Sequence, residues 1–251
     1  MPRFFVTASQ IGTRDDGTKT VLIVGDDASH IVRSLRMKTG DRLVVCDMAR
    51  TEYDCTIVST GDTVTAAVTC ERPSGSEPPY FATLYQALIK GDKFDTVVQK
   101  AVECGVSKIV PVLTDRCVVR LTKKECEKKA ARWQRIADEA AKQCGRGALV
   151  KIDGMMTFKE AVADASRSEI SLFCYEGEEI CSLKSALRSS GETPETVSLF
   201  IGSEGGFSAD EAAFAGNSGM TTVGLGSRIL RTETASSFVL ACLAYEFEMK
   251  S

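Results

Sequence analysis

The chain has 251 residues, 43% of them hydrophobic and 26% charged, which excludes a disordered or fibrous protein and suffices for one large domain or two modest ones. Net charge is -3, no apolar run reaches the length of a membrane span, and the opening MPRFFVTASQ is too weak for a secretory signal. The ten cysteines contain no Cys-x-x-Cys pair, and several lie in apolar runs such as SLFCY and LACLAY, a reduced, cytoplasmic pattern. A single histidine leaves no basis for a zinc site or a histidine-based hydrolase triad, so no metal is expected.

The elements fall into two rhythms. RFFV, TVLIV, DRLVVCD, EYDCTIV and TVTAAVTC read as short strands, interrupted by one helical stretch, DASHIVRSLRM. So many short strands within residues 1–72 predict a small closed β-barrel. The segment ERPSGSEPPYF holds three of the six prolines, and residues 73–81 read as a linker. From residue 82 to 251 strands alternate with helices: LYQALI, a helix at DKFDTVVQKAVECG, KIVPVL, and a long helix from about Thr122 to Gln143. Then come EISLFCY, a helix near 182–190, TVSLFI, a helix from Ser208, MTTVGLG and a last helix from Thr232 to the end. That alternation predicts an α/β domain with a mostly parallel sheet.

Charge is unevenly spread. Residues 84–151 carry 15 Lys/Arg against 8 Asp/Glu, while residues 152–251 carry 7 against 15. Phosphate binding follows local potential, so a basic band keeps nucleic acid open as a partner. The run KKECEKKAARWQR reads equally well as the solvated face of a helix.

In a parallel sheet, ligands gather at the carboxyl ends of the strands. Two Gly-bearing loops fall there: GSEGG after TVSLFI, and GLGSRILRTETA after MTTV. In the first, Ser208-Ala-Asp-Glu211 forms a capping box that fixes where the next helix begins. One glycine would allow the turn; three around Glu204 favour a ligand site. A P-loop needs Lys-Ser/Thr after its last glycine, whereas Phe207 and Ser208 stand here. The dinucleotide fingerprint lacks its third glycine, and a loop carboxylate would repel a pyrophosphate. A cationic or neutral ligand suits the loop, with apolar surface from Ile201, Leu225, Ile229 and Leu230. S-adenosylmethionine, an adenosine with a sulfonium and no phosphate, fits that description.

IGSEGGFSADE and LGSRILRTETASS closely resemble the last two motifs of the RsmE-type 16S rRNA uridine-N3 methyltransferases. MPRFFV, HIVRSLRMKTGD, KGDKFDTVVQKAVECGV, PVLTDRC and RWQRIADEAAKQCGR follow that family's order through nearly the whole chain. The resemblance implies an S-adenosylmethionine-dependent transferase of the SPOUT class, whose C-terminal domain ties a deep trefoil knot, preceded by a PUA-like RNA-binding barrel. It implies a homodimer acting on 16S rRNA or the small ribosomal subunit. By motif match, Ile201, Gly202, Glu204, Gly205, Gly206, Leu225, Gly226, Ile229, Leu230, Thr234 and Ala235 are expected at the cofactor. Arg3, His30, Arg33, Arg36, Arg116 and Arg146 are expected at RNA, with a structural hydrogen bond the competing role for His30.

Uridine N3 carries a proton that must leave before or during attack on the sulfonium methyl. The site therefore needs a base, or a cation that stabilises charge developing at O2 or O4. Arg231 and Arg228 could supply the cation; Glu204 or Glu233 could act as base or hold an arginine. Glu233 is also explained as an acid in a helix's first turn. Ser203 stands where the family usually has proline, Ser34 where an apolar residue is common, and CDMART replaces a usual Asp-Gly turn. Two other readings remain open: a SPOUT methyltransferase of another RNA, and a non-catalytic RNA-binding ribosome-assembly protein. The intact loops argue against the second, and the missing loop lysine against a phosphate-nucleotide enzyme.

Overall fold

The computed structural model describes residues 1–119, 121–177, 181–189 and 191–249. The chain forms two compact units, the first from Met1–Glu77 with Ala141–Leu149, the second from Pro78–Ala140 and the chain from Val150 onward.

The first unit is a six-stranded sheet of β1 (Arg3–Phe5), β2 (Ile11–Thr13), β3 (Lys19–Ile23), β4 (Arg42–Cys46), β5 (Thr51–Ser59) and β6 (Val64–Pro73). Its order is β1-β4-β5-β6-β3-β2, antiparallel except for the β1–β4 pair. Period-two burial selects the inner face: Tyr53, Cys55 and Ile57 on β5, Leu43 and Val45 on β4, Val21 and Ile23 on β3. Among the described residues no ladder joins the edge strands β1 and β2. Yet Phe4 of β1 belongs to the same core as β3, and Ile11 of β2 packs against it. The expected barrel is thus wrapped by side chains and not closed by backbone hydrogen bonds. The interrupting helix α1 (Gly25–Ser29) widens into a π-type turn over His30–Ser34, where the Leu35 N–H donates to the His30 carbonyl.

The segment expected as a linker is structurally engaged. Glu77 accepts from Arg146 Nε and Nη2, at 2.8 Å each, and from the Gly147 and Ala148 N–H groups. Both side chains of the pair are 5% exposed. Burial raises the Glu77 carboxyl, but the Arg146 guanidinium and the two N–H groups outweigh it and hold it below the ordinary range. A buried charge this well partnered fixes 141–149 onto the first unit, which contiguous boundaries drawn from sequence leave out.

The second unit is an eight-stranded, all-parallel sheet. Its strands are β7 (Phe81–Ala87), β8 (Lys108–Leu113), β9 (Lys151–Ile152), β10 (Met156–Thr157), β11 (Ile170–Cys174), β12 (Cys181–Ser182), β13 (Thr196–Ile201) and β14 (Thr221–Gly224). The order is β10-β8-β7-β13-β11-β14-β12, with β9 also on β8. The helices are α2 (Lys93–Glu103), α3 (Lys123–Cys144), α4 (Phe158–Ala165), α5 (Leu183–Arg188), α6 (Ala209–Asn217) and α7 (Thr232–Phe247). Central strands such as TVSLFI are apolar on both faces because helices cover both. Buried Ser171 and Ser198 each donate to the Ala165 carbonyl at 2.7 Å, satisfying the end of α4 and their own hydroxyls together. Phe158, Phe173, Phe200 and Phe207 pack edge-to-face or tilted beneath the loop that follows β13.

Sequence reading passes over α4, although Thr157 and Glu160 announce it with a reciprocal capping box. It also omits β9, β10 and β12, pairs of residues too short to show a period.

Candidate functional site

Because β7, β13, β11 and β14 run parallel, their carboxyl ends share one edge of the sheet. A cavity of about 640 Å³ opens there, within the 300–1,000 Å³ span of small-molecule sites. Its wall is made by residues 201–207 at and after the end of β13, residues 225, 226 and 228–233 with Ala235 at the start of α7, residues 174–176 at the end of β11, and Lys93 and Arg116.

The loop after β13 is tightly held. The Gly206 N–H donates to the Ser203 carbonyl at 2.9 Å, closing a turn with Gly206 at φ +67°. A Cβ on Gly202 would stand 3.1 Å from the Gly206 Cα and carbonyl carbon, so only glycine lets the two ends of this turn touch. From the β8–α3 connection, Arg116 Nη1 donates to the Gly205 carbonyl at 2.9 Å, and Ser203 Oγ donates to the Arg116 carbonyl at 3.2 Å. Glu211 accepts the Asp115 N–H at 2.8 Å while completing its capping box with Ser208. Beneath, Thr232 Oγ1 donates to the Gly202 carbonyl at 2.6 Å, and Gln86 Nε2 donates to Thr232 Oγ1 at 3.0 Å. Gln86 is fully buried, and its Oε1 has no hydrogen-bond partner among the described residues. Its amide joins the end of β7 to the start of the first site loop and the end of the second.

Glu204 accepts from the Lys90 N–H at 3.2 Å and from Lys93 Nζ at 3.4 Å. Burial raises its carboxyl, but its own backbone N–H, that of Lys90 and the Lys93 ammonium together hold it below the ordinary range. Glu204 is therefore a committed anion. Glu233 differs: its Oε2 is buried without a hydrogen-bond partner among the described residues. Arg228 and Arg231 are exposed beside it on the second loop, where Ile229 is 84% exposed. Desolvation pushes the Cys174 thiol up to about 12, so it is an uncharged part of the wall.

Ten of the eleven residues expected at the cofactor line this one cavity, as do Arg228, Arg231, Glu204 and Glu233. Thr234 does not: it faces outward on α7 and lies outside the lining. The residues expected at RNA divide. His30, Arg33 and Arg36 are exposed, His30 edge-on to Phe4 at 6.4 Å. Arg3 is turned inward, donating to Glu52 at 2.7 Å, to Cys46 Sγ and to the Arg146 carbonyl. Arg146 is buried on Glu77, and Arg116 supports the Gly-rich loop. In all three, sequence shows a guanidinium but not the acceptor that the fold brings to it. The reading also missed Gln86, Thr232, Lys93 and Tyr175, whose neighbours come from distant strands; only the glycines signalled the place.

Among the described residues no group of three or more His, Cys, Asp or Glu is placed to hold a metal, and no helix is long and apolar enough to cross a membrane. The ten cysteines are free thiols.

Comparison with known proteins matches residues 76–244 to the RNA methyltransferase domain family and residues 23–68 to the RNA methyltransferase PUA domain family. The ribosomal RNA small subunit methyltransferase E of Bacillus subtilis is 32% identical, over 99% of this chain and 98% of its own. A ribosomal RNA small subunit methyltransferase E from Neisseria gonorrhoeae, bound to S-adenosylmethionine, superposes with TM-score 0.82 at 26% identity, covering 100% of both chains. A putative methyltransferase from Legionella pneumophila, in complex with the same cofactor, has TM-score 0.82 at 26% identity, over 98% of this chain and 97% of that one.

Proposed function

The chain belongs to the ribosomal RNA small subunit methyltransferase E family, and from that membership we propose that it transfers a methyl group from S-adenosylmethionine to N3 of a uridine in small-subunit (16S) ribosomal RNA. One observation carries this reading: two Gly-bearing loops and the start of α7 line one cavity that combines glycine backbone, apolar side chains and a few charged groups.

The fit to the cofactor is chemical as well as spatial. No lysine follows the glycines to neutralise a phosphate, and Glu204 adds negative charge suited to a cation. Gly202, Gly205, Gly206 and Gly226 would hold the cofactor through backbone groups, with Ile201, Leu225, Ile229, Leu230 and Ala235 against its apolar surfaces. When bound, it supplies an electrophilic methyl on sulfur. The chain's own residues must then handle the N3 proton and the charge left on the ring. Glu204, engaged by Lys90 and Lys93, holds the loop. Glu233, with Oε2 unpartnered among the described residues, is the carboxylate left to take the proton. Arg231 and Arg228, on the rim, supply positive charge toward O2 or O4.

The protein acts as a cytoplasmic homodimer with the trefoil-knotted topology of its class. Phe238 and Tyr245 on the exposed side of α7, at 37% and 69% exposure, with Met249 just beyond its end at 70%, give an apolar surface suited to a second copy. His30, Arg33 and Arg36 of the first unit contact the RNA.

Calorimetric titration with S-adenosylmethionine tests the site, beside a Gly205→Arg variant. A Cβ on Gly205 already stands 3.3 Å from Arg116 Cβ, and a full arginine would fill the loop's approach. Micromolar binding by the wild type, lost in the variant, and methylation mapped to one uridine N3 are expected. No binding by the folded wild type would overturn the proposal.

A further inference from the structure

The basic band of the second unit is left over once the cavity is assigned. On α3, Lys124, Lys128 and Arg135 are exposed, and at 100° per residue they fall within 40° of one another around the axis. They extend over about 16 Å of helix. Among the described residues none of the three has an ion pair. The helix's other charges are largely spoken for. Arg132 is paired with Asp92 and Asp95, Lys129 lies 5.9 Å from the centre of the Trp133 ring, and Glu125 caps the helix through Thr122. Asp138 accepts from Gln134. Exposed Glu127 flanks the row, and exposed Glu139 lies one turn beyond Arg135.

The opposite side of α3 packs toward the cavity wall through α2. Phe94 and Trp133 stack at 4.0 Å between α2 and α3, and Trp133 Nε1 donates to Asp95 at 3.1 Å. Lys93, between the two aspartates that hold Arg132, reaches the other way to Glu204 on the cavity wall. At 100° per residue Trp133 lies about 140–180° around the axis from Lys124, Lys128 and Arg135, so the basic row is on the side of α3 turned away from α2, with α3 itself and one turn of α2 between it and the Gly-rich loop.

Three neighbouring cations without an ion pair among the described residues repel one another, which Glu125 near Lys128 offsets only in part and a polyanion relieves. Arg3 and Arg146 are meanwhile engaged inside the first unit, and the exposed Arg116 donates to the Gly205 carbonyl. We propose that the solvent face of α3, through Lys124, Lys128 and Arg135, binds the phosphate backbone of the RNA substrate. The inference rests on the methyltransferase reading and adds to it the surface that positions the RNA. These contacts carry no base specificity; they set affinity and register.

The test is a full-length Lys124→Glu, Lys128→Glu, Arg135→Glu protein with transcribed small-subunit rRNA. A second variant, Lys159→Glu, Arg167→Glu, Lys184→Glu, makes the same change of net charge on other elements. The α3 variant should lower RNA affinity at least tenfold and flatten the slope of log affinity against log salt by about 2 (three single-stranded phosphate contacts). KM for rRNA should rise while kcat at saturation and S-adenosylmethionine affinity stay within about twofold, and the control should match the wild type. An unchanged slope and KM in the α3 variant, or an equal loss in the control, would overturn the inference. A wild type that methylates no rRNA would instead overturn the proposed function, so the two failures are separable.

Discussion

The two loops of the cavity are built on opposite plans. The loop after β13 is braced by Arg116, Ser203, Thr232 and Gln86, and its glycines let backbone touch backbone. In the loop after β14, residues 225–231 make no side-chain hydrogen bond among the described residues, and Ile229 stands 84% exposed. The first is held by hydrogen bonds within the chain; the second presents exposed apolar surface at Ile229. Pre-organisation in one wall lowers the cost of ordering a ligand, while freedom in the other lets it enter and leave.

The largest effect should come from breaking the rigid loop where its two ends meet. Gly202→Val places branched carbon against the Gly206 backbone, which a Cβ alone approaches to 3.1 Å. A displacement on the order of 1 Å at a positioning element costs about 100-fold. Cofactor affinity should fall by at least that factor, read by calorimetry, while α3 and the first unit retain native hydrogen-exchange protection. Affinity within threefold of wild type would show that the loop adapts.

Gln86→Met is the sharper probe. It keeps the buried volume, removes the donor to Thr232 and the Gly202 carbonyl, and also removes an acceptor left unpaired. Losing a buried hydrogen bond costs about 1–1.5 kcal/mol, near tenfold in affinity, whereas removing an orphaned acceptor offsets the stability loss. Cofactor binding should weaken about tenfold with a melting temperature within about 2 °C of wild type. A melting temperature that falls in step with affinity would mark Gln86 as a general core residue.

Glu204→Gln should have the smallest effect, because the ion pair with Lys93 is substantially exposed and such pairs contribute about 1 kcal/mol or less. Its signature is in pH. The folded carboxyl lies below the ordinary glutamate value of about 4.3, so its stabilisation is present above that value and lost as pH falls through the folded one. Thermal melts from pH 7 to 3 should show a steeper acid loss for wild type than for the variant. Parallel curves would remove Glu204 from the loop's supports.

Much of this protein was legible in order along the chain. Apolar runs with intervening helix signals announced the parallel sheet, the capping box at Ser208–Glu211 located α6, and the glycines after β13 and β14 marked the ligand edge, because these are local consequences of backbone geometry. Only the tertiary structure decided which charges are free. Arg3, Arg116 and Arg146 read from sequence as surface cations, yet Glu52, the Gly205 carbonyl and Glu77 claim them. It also decided that residues 141–149 return to the first unit, and that Gln86 and Thr232 meet across 146 positions of sequence. The physical reason is common to all of these. A glycine's freedom and a helix's period belong to neighbouring residues, whereas the partner of a charge or a buried amide is whatever distant segment folding brings within 3 Å.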